Sequence, residues 1–198
     1  VLFVFHFMIP NQQHIQQLWD THHLPPEKRV HSLKVAQLAM WLAHKYEEAR
    51  PQTHIDKALL EAAALLHDID KKAIKKEGER HPDAGVRILM ETGMQEVADI
   101  VRTHPLHSIL DQNIAPRSLE ERLLYLSDKM VKYEIITVDE RFHLWRSEDL
   151  SPQARMILEA AYPKVKALEK EIFTIIKKEP KQAGMLANNE ETSTMKLT

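Results

Sequence analysis

The clearest absence from this chain of 198 residues is cysteine, of which it has none. Without thiols the protein forms no disulfide, no thiolate zinc site and no cysteine nucleophile, so any metal must be held by histidines and carboxylates. A chain without cysteine also suits a reducing compartment, and we expect a cytoplasmic protein.

Glycine is also scarce, and the net charge is small. Only four residues are glycine, and the abundance of Ala, Leu, Glu and Lys favours helix over sheet. The formal net charge is −2 with both signs interspersed, so neither nucleic acid nor an anionic membrane is an expected partner. The apolar run VLFVFHFMI is too short to span a bilayer and has no signal-peptide features. We expect residues 1–10 to form a disordered or extraneous leader, with Met8 as a candidate start.

Helical periodicity and capping signals dominate the rest of the chain. They predict one all-α domain over residues 11–177 and a flexible C-terminal tail over 178–198. Ser118 with Glu121, and Thr137 with Glu140, form capping-box patterns, and Thr53 is predicted to cap the helix that approaches residue 67. Residues 105–117 are expected to form a loop. The predicted helices cover 11–22, 26–49, 53–67, 82–92, 95–104, a segment from 118, 137–146 and 152–177.

The most informative positive feature is an adjacent imidazole and carboxylate, His67 and Asp68, at the end of the apolar run LLEAAALLHD. Helical spacing puts His67 on the same stripe as Leu60 and Ala64, so its ring is predicted to face the core. Other predicted helices carry groups of the same chemistry, and nitrogen and oxygen donors without thiolate suit Fe, Mn, Ni, Zn or Mg. The candidate metal ligands are His31, His67, Asp68, His81, His104 and Asp128.

Each candidate also has a purely structural interpretation. Asp128 lies in the apolar stretch LLYLSDKMV, where an ionised carboxylate is unfavourable unless it is paired or coordinated. Lys129 or Lys132 could pair with it, and a lone histidine on an apolar face is more often a satisfied core residue than a ligand. The joint pattern favours a metal centre, because helical bundles build metal sites from side chains on successive helices.

Five segments in order, HSLKVAQLA, LLEAAALLHDIDKK, HPDAGVRIL, VADIVRTH and LLYLSDKMV, resemble the HD-domain superfamily of metal-dependent phosphohydrolases over about residues 26–147. The resemblance implies a compact bundle of about seven or eight helices. It also implies a core of one His, a His-Asp doublet and a distant Asp, matched here by His31, the doublet and Asp128. The chain departs from the common family pattern at Asp70, because the family commonly has glycine at this position, two residues after the Asp of the doublet.

The resemblance implies a binuclear metal centre. His81 and His104 fall where the two-metal branches of the superfamily have two further histidines. In that form Asp68 bridges two divalent ions, with His31, His67 and Asp128 completing one site and His81 and His104 the other.

Catalytic and substrate-binding roles follow from the same resemblance. Asp68 is the central catalytic residue, and Lys71 is a second one that contacts a substrate phosphate. Asp70 is a candidate to orient a ligand imidazole, and the helix at 137–146 is expected to line the cleft. The candidate substrate-binding residues are Lys71, Arg102, His107 and Lys129.

The expected activity is hydrolysis of a phosphate ester or anhydride in a small, nucleotide-like molecule by a monomer or homodimer. One alternative is a symmetrical diadenosine tetraphosphate hydrolase, and another is a non-catalytic nucleotide-binding HD module. An oxygenase with the same di-iron core, and a plain interaction domain that dimerises through its long C-terminal helix, are further alternatives. The complete set of candidate ligands favours an enzyme.

Overall fold

The computed structural model describes residues 8–190, whose regular secondary structure is helical. The all-α prediction is therefore confirmed, and eight of the helices fall within residues 11–177 as expected. The predicted leader residues 1–7 and residues 191–198 of the predicted tail lie outside the described range. The helices are α1 Gln12–Thr21, α2 Pro26–Ala49, α3 Lys57–Leu66, α4 Asp83–Glu91, α5 Gln95–Arg102, α6 Leu119–Lys129, α7 Val138–Arg146, α8 Pro152–Ile176 and α9 Ala183–Glu190.

Side-chain caps set where the helices begin. The Ser118 hydroxyl accepts a hydrogen bond from the amide of Glu121 at 3.1 Å, and the Glu121 carboxylate accepts one from the amide of Ser118 at 2.9 Å. This reciprocal pair confirms the predicted capping box of α6. The prediction that Thr53 caps α3 is wrong, because Asp56 is the cap and its carboxylate accepts from the Leu59 amide at 3.0 Å.

The long helix α2 lies at the centre of the bundle and packs against α3, α6 and α8. Its inner face is fully buried at Val35, Leu38 and Leu42. The apolar side of α8 is also covered by the chain's own core, since Val165 and Ile172 are fully buried. The side of α8 that carries these two residues is therefore not open to a second copy of the chain.

Two segments that the sequence predicted to be irregular are ordered. Residues 180–190 form a short 3-10 turn and α9, which corrects the prediction of a loose tail from residue 178 for this stretch. Ala183 and Ala187 are buried, and the Gln37 side-chain amide of α2 donates to the Ala187 carbonyl at 3.2 Å. Small alanines allow this close approach, although the segment has too few apolar residues to show a helical period.

The predicted loop at 105–117 contains a 3-10 helix, Leu106–Leu110, that contacts α8. It is fixed from α6 by the Tyr125 hydroxyl, which donates to the Leu106 carbonyl at 2.9 Å. Among the helices of residues 8–190, none combines the length and apolar character needed to cross a membrane.

Candidate metal centre

Five separate segments deliver the six candidate ligands to one place. His31 lies in the second turn of α2, and His67 and Asp68 directly follow α3. His81 precedes α4, His104 follows α5, and Asp128 lies in the last turn of α6. Because α2 packs against both α3 and α6, and α5 packs against both as well, the ends of these helices converge.

The first group consists of His31, His67 and Asp128, whose ligand atoms all lie within 4.8 Å of one another. The Asp128 Oδ1 atom is 3.0 Å from His31 Nε2 and 3.5 Å from His67 Nε2. Two imidazoles from different helices thus face one carboxylate oxygen, which is the arrangement of a partial metal site.

The second group consists of Asp68, His81 and His104, also within 4.8 Å of one another. The Nε2 atoms of His81 and His104 are 2.9 Å apart, and His81 Nε2 is 3.7 Å from Asp68 Oδ1. The two groups adjoin, since the same Asp68 oxygen is 3.8 Å from His67 Nε2. This division of ligands is the one that the two-metal form implies, with Asp68 between the groups.

Hydrogen bonds assign the protons on three of these rings. His67 Nδ1 donates to the Ala64 carbonyl at 2.8 Å, and His104 Nδ1 donates to the Val101 carbonyl at 2.5 Å. His81 Nδ1 donates to the Asp70 carboxylate at 2.8 Å. Carbonyls and carboxylates only accept, so each Nδ1 carries its hydrogen and the Nε2 of a neutral ring is a bare lone pair.

These lone pairs point at other electron-rich atoms. His81 Nε2 faces His104 Nε2, and His67 Nε2 faces the oxygens of Asp68 and Asp128. His67 Nε2 is also buried without a hydrogen-bond partner in the described part of the chain. Lone pairs that face each other repel unless a cation lies between them, so the residues present fit divalent metal ions.

The two carboxylates stay ionised despite their burial. Burial alone would raise the pKa of Asp68, but His67, Lys71 and Lys28 outweigh it and hold that pKa well below its usual range. Burial would likewise raise the pKa of Asp128, but the neighbouring ammonium group of Lys129 outweighs burial and lowers that pKa. Metal binding therefore needs no loss of a proton from either carboxyl group at neutral pH.

The imidazoles differ in their tendency to hold a second proton. Burial opposes protonation of His67, but the carboxylates of Asp68 and Asp128 outweigh it and raise the pKa of His67. Burial and the neighbouring His81 lower the pKa of His104 well below its usual value. His104 is therefore a neutral donor, whereas a metal ion must compete with a proton at His67.

All the candidate ligands except the fully buried His67 line a cleft of about 820 Å³, a volume within the range of small-molecule sites. Three of the predicted substrate-binding residues, Lys71, His107 and Lys129, line this cleft. Lys71 Nζ lies 3.1 Å from Asp68 Oδ1, and His107 is exposed on the cleft wall. Lys129 is only 2% exposed, and its ammonium donates to the His104 carbonyl at 2.6 Å and to Asp128 at 2.5 Å.

Arg102, the fourth predicted substrate-binding residue, does not line this cleft. Its side chain is half exposed and lies 3.7 Å from Asp99 on the outer side of α5. The helix turns its Val101 side towards the core, and the next residue consequently points to solvent.

The fold brings further charged and aromatic residues into the cleft that the sequence pattern did not single out. Lys28 Nζ is 3.1 Å from Asp68 Oδ2, and its position three residues before His31 on α2 was the available signal. Arg141 and Trp145 come from the predicted cleft helix at 137–146, which does line the cleft. Asp70 is fully buried and accepts from His81, which is the contact that its predicted orienting role requires.

Comparison with known families agrees with this geometry. A family model for the HD domain matches residues 29–132. The chain belongs to the HD-domain family. The matched segment of this HD-domain protein contains all six candidate ligands, whereas α7 and its Arg141 lie beyond it. No curated protein and no solved structure matches the chain.

Proposed function

We propose that this HD-domain protein is a metal-dependent phosphohydrolase that cleaves a phosphate ester or anhydride in a small, nucleotide-like molecule. The observation that carries the proposal is the convergence of three Nε2 lone pairs on two ionised carboxylates at the base of a cleft. Neutral rings in this arrangement direct lone pairs at other electron-rich atoms unless a cation lies between them, and the six candidate ligands divide into two groups that suit two ions.

Divalent ions at this place would supply Lewis-acid polarisation of a phosphoryl oxygen and a water of lowered pKa. The HD-domain ligand set would hold them, with Asp68 shared between the two groups. Mn, Fe, Ni, Zn and Mg all accept such nitrogen and oxygen donors.

Charged side chains of the chain itself would bind and orient the substrate. Lys28 and Lys71 flank Asp68 at 3.1 Å and project into the cleft, where their ammonium groups offset phosphate charge. Lys129 is already committed to Asp128 and the His104 carbonyl, so its role would be to keep Asp128 ionised and placed. His107 is exposed on the wall and is a candidate contact for the rest of the substrate.

The decisive test compares Asp68→Ala with Asp99→Ala in the full chain. Asp99 has the same side chain but lies exposed on α5, away from the cleft, so it controls for the loss of a carboxylate. We expect D68A to lose bound metal, measured by mass spectrometry of the purified protein, together with phosphate release from a panel of nucleoside mono-, di- and triphosphates. D99A should retain both.

The outcomes separate the proposal from its alternatives. Full turnover by a D68A protein that is verified to be free of metal would refute it. Wild-type protein that binds metal but releases phosphate from no phosphorylated compound would favour a non-catalytic nucleotide-binding module or an oxygenase.

A further inference from the structure

Arg141 on α7 is a buried cation with no anionic partner among residues 8–190. Its side chain lines the metal-centre cleft and only 8% of the residue is exposed. The Nε and Nη1 atoms are buried and have no hydrogen-bond partner in that range. Desolvating a guanidinium without acceptors is costly, so such a group in a native cleft points to a ligand that supplies them.

The other non-histidine cations along the described cleft wall differ from Arg141, because each already lies against a carboxylate. Lys28 and Lys71 contact Asp68, Lys129 contacts Asp128, and Lys132 contacts Glu148 at 3.4 Å. Asp128 and Glu148 act on Arg141 only from a distance, and burial outweighs them in lowering the pKa of Arg141. Within the described part of the chain, Arg141 is therefore the cleft cation with two buried donors, Nε and Nη1, that have no partner.

The guanidinium is held in place without an anion. Its carbon lies 4.1 Å from the ring centre of Trp145, so one face of the group is stacked on the indole. Trp145 is packed in turn against the buried ring of Phe142, with ring centres 5.1 Å apart. The start of α7 is anchored as well, because the buried carboxylate of Glu169 accepts from the Val138 amide at 2.9 Å. Such a preorganised fork loses little entropy when it binds.

We propose that Arg141 binds a second anionic group of the substrate, distinct from the phosphoryl group attacked at the metal centre. This inference rests on the phosphohydrolase function proposed above, and it narrows the substrate to compounds with at least two phosphoryl groups, such as nucleoside di- or triphosphates. A guanidinium fork matches two phosphoryl oxygens, and a cleft of about 820 Å³ accommodates more than a single phosphate. Arg141 is thus a specificity-determining residue.

The test measures binding directly, with methylenediphosphonate as a non-hydrolysable two-anion probe and methylphosphonate as the one-anion probe. Titration calorimetry on the full chain, with and without added Mn²⁺, compares wild type with Arg141→Gln. The matched control is Arg146→Gln, which changes the same residue type on the same helix but removes an ion pair with Glu159 outside the cleft.

We expect R141Q to weaken the binding of methylenediphosphonate about tenfold or more, because the charge-assisted hydrogen bonds to its second anionic group are lost. The binding of methylphosphonate should weaken less than about threefold. R146Q should match wild type with both probes. Equal weakening of both probes by R141Q would overturn the proposal, and so would unchanged binding. A wild-type protein that binds the two-anion probe no tighter than the one-anion probe would also overturn it.

Arg141→Lys carries the test if R141Q does not fold. Lysine keeps the charge but lacks the planar fork, so we expect R141K to bind the two-anion probe about fivefold or more weaker than wild type. Wild-type affinity in R141K would contradict the proposal. The two proposals can fail separately. If R141Q selectively loses affinity for the two-anion probe but wild type hydrolyses no nucleotide, the Arg141 subsite is supported and the phosphohydrolase function is refuted. If hydrolysis depends on Asp68 but probe binding does not change in R141Q, the phosphohydrolase function is supported and the Arg141 subsite is refuted.

Discussion

Replacing Asp70 by asparagine tests how the second ligand group is oriented. Asp70 is fully buried, and its Oδ1 atom accepts the hydrogen bond from His81 Nδ1 at 2.8 Å. Its Oδ2 atom is buried and has no partner in the described residues. Asparagine keeps the size and an acceptor for His81, but it removes the negative charge.

The size of the effect follows from these contacts. Loss of a carboxylate behind a ligand histidine typically weakens metal binding 10–100-fold, which corresponds to about 1.4–2.8 kcal/mol. The effect should be confined to the group of Asp68, His81 and His104, because Asp70 touches no ligand of the other group in the described contacts.

The assay is competition titration of Mn²⁺ against a chelating indicator, which separates two binding steps. Asp70→Asn should weaken one step 10–100-fold and leave the other within about threefold. Asp99→Asn, the same change at an exposed position on α5, should leave both steps intact. Equal weakening of both steps, or of neither, would refute the assignment of Asp70 to His81.

Three further predictions concern stability. Arg87 lowers the pKa of Glu79 to about 2. The Glu79 carboxylate therefore stabilises the loop before His81 fully above pH 4.5, and this contribution is lost as the pH falls through about 2. An NMR titration of Glu79 measures this pKa, and a value near 4.5 would contradict the prediction. Ser118→Ala should lower the free energy of unfolding in urea by about 1 kcal/mol, since the Glu121 amide loses its acceptor; no change would contradict the capping box. Truncating the chain after Lys178 should lower the free energy of unfolding by about 1–2 kcal/mol in the same assay, because it exposes the surface that buried alanines of α9 cover.

Local chemistry explains which features could be predicted from the sequence. The helices and the capping boxes at Ser118 and Thr137 depend on residues three or four positions apart, so their pattern is visible in one dimension. The six candidate ligands could be recognised because polar groups beside apolar helical segments are costly without a partner. The prediction for Thr53 was wrong because Thr53 and Asp56 both carry an oxygen that could cap the start of α3, and the Asp56 carboxylate is the one that does.

What only the tertiary structure decided is where distant side chains meet. The pairing of His31 with Asp128, the contact of Asp70 with His81, and the position of Arg102 outside the cleft depend on how helices rotate and pack. The same holds for Arg141, which in the sequence is one charge among many and in the fold has two buried donors with no partner among residues 8–190. By itself the sequence determined the helices and the chemistry of the ligands, because these follow from short-range spacing. Packing determined their partners, because contacts between helices depend on three-dimensional fit.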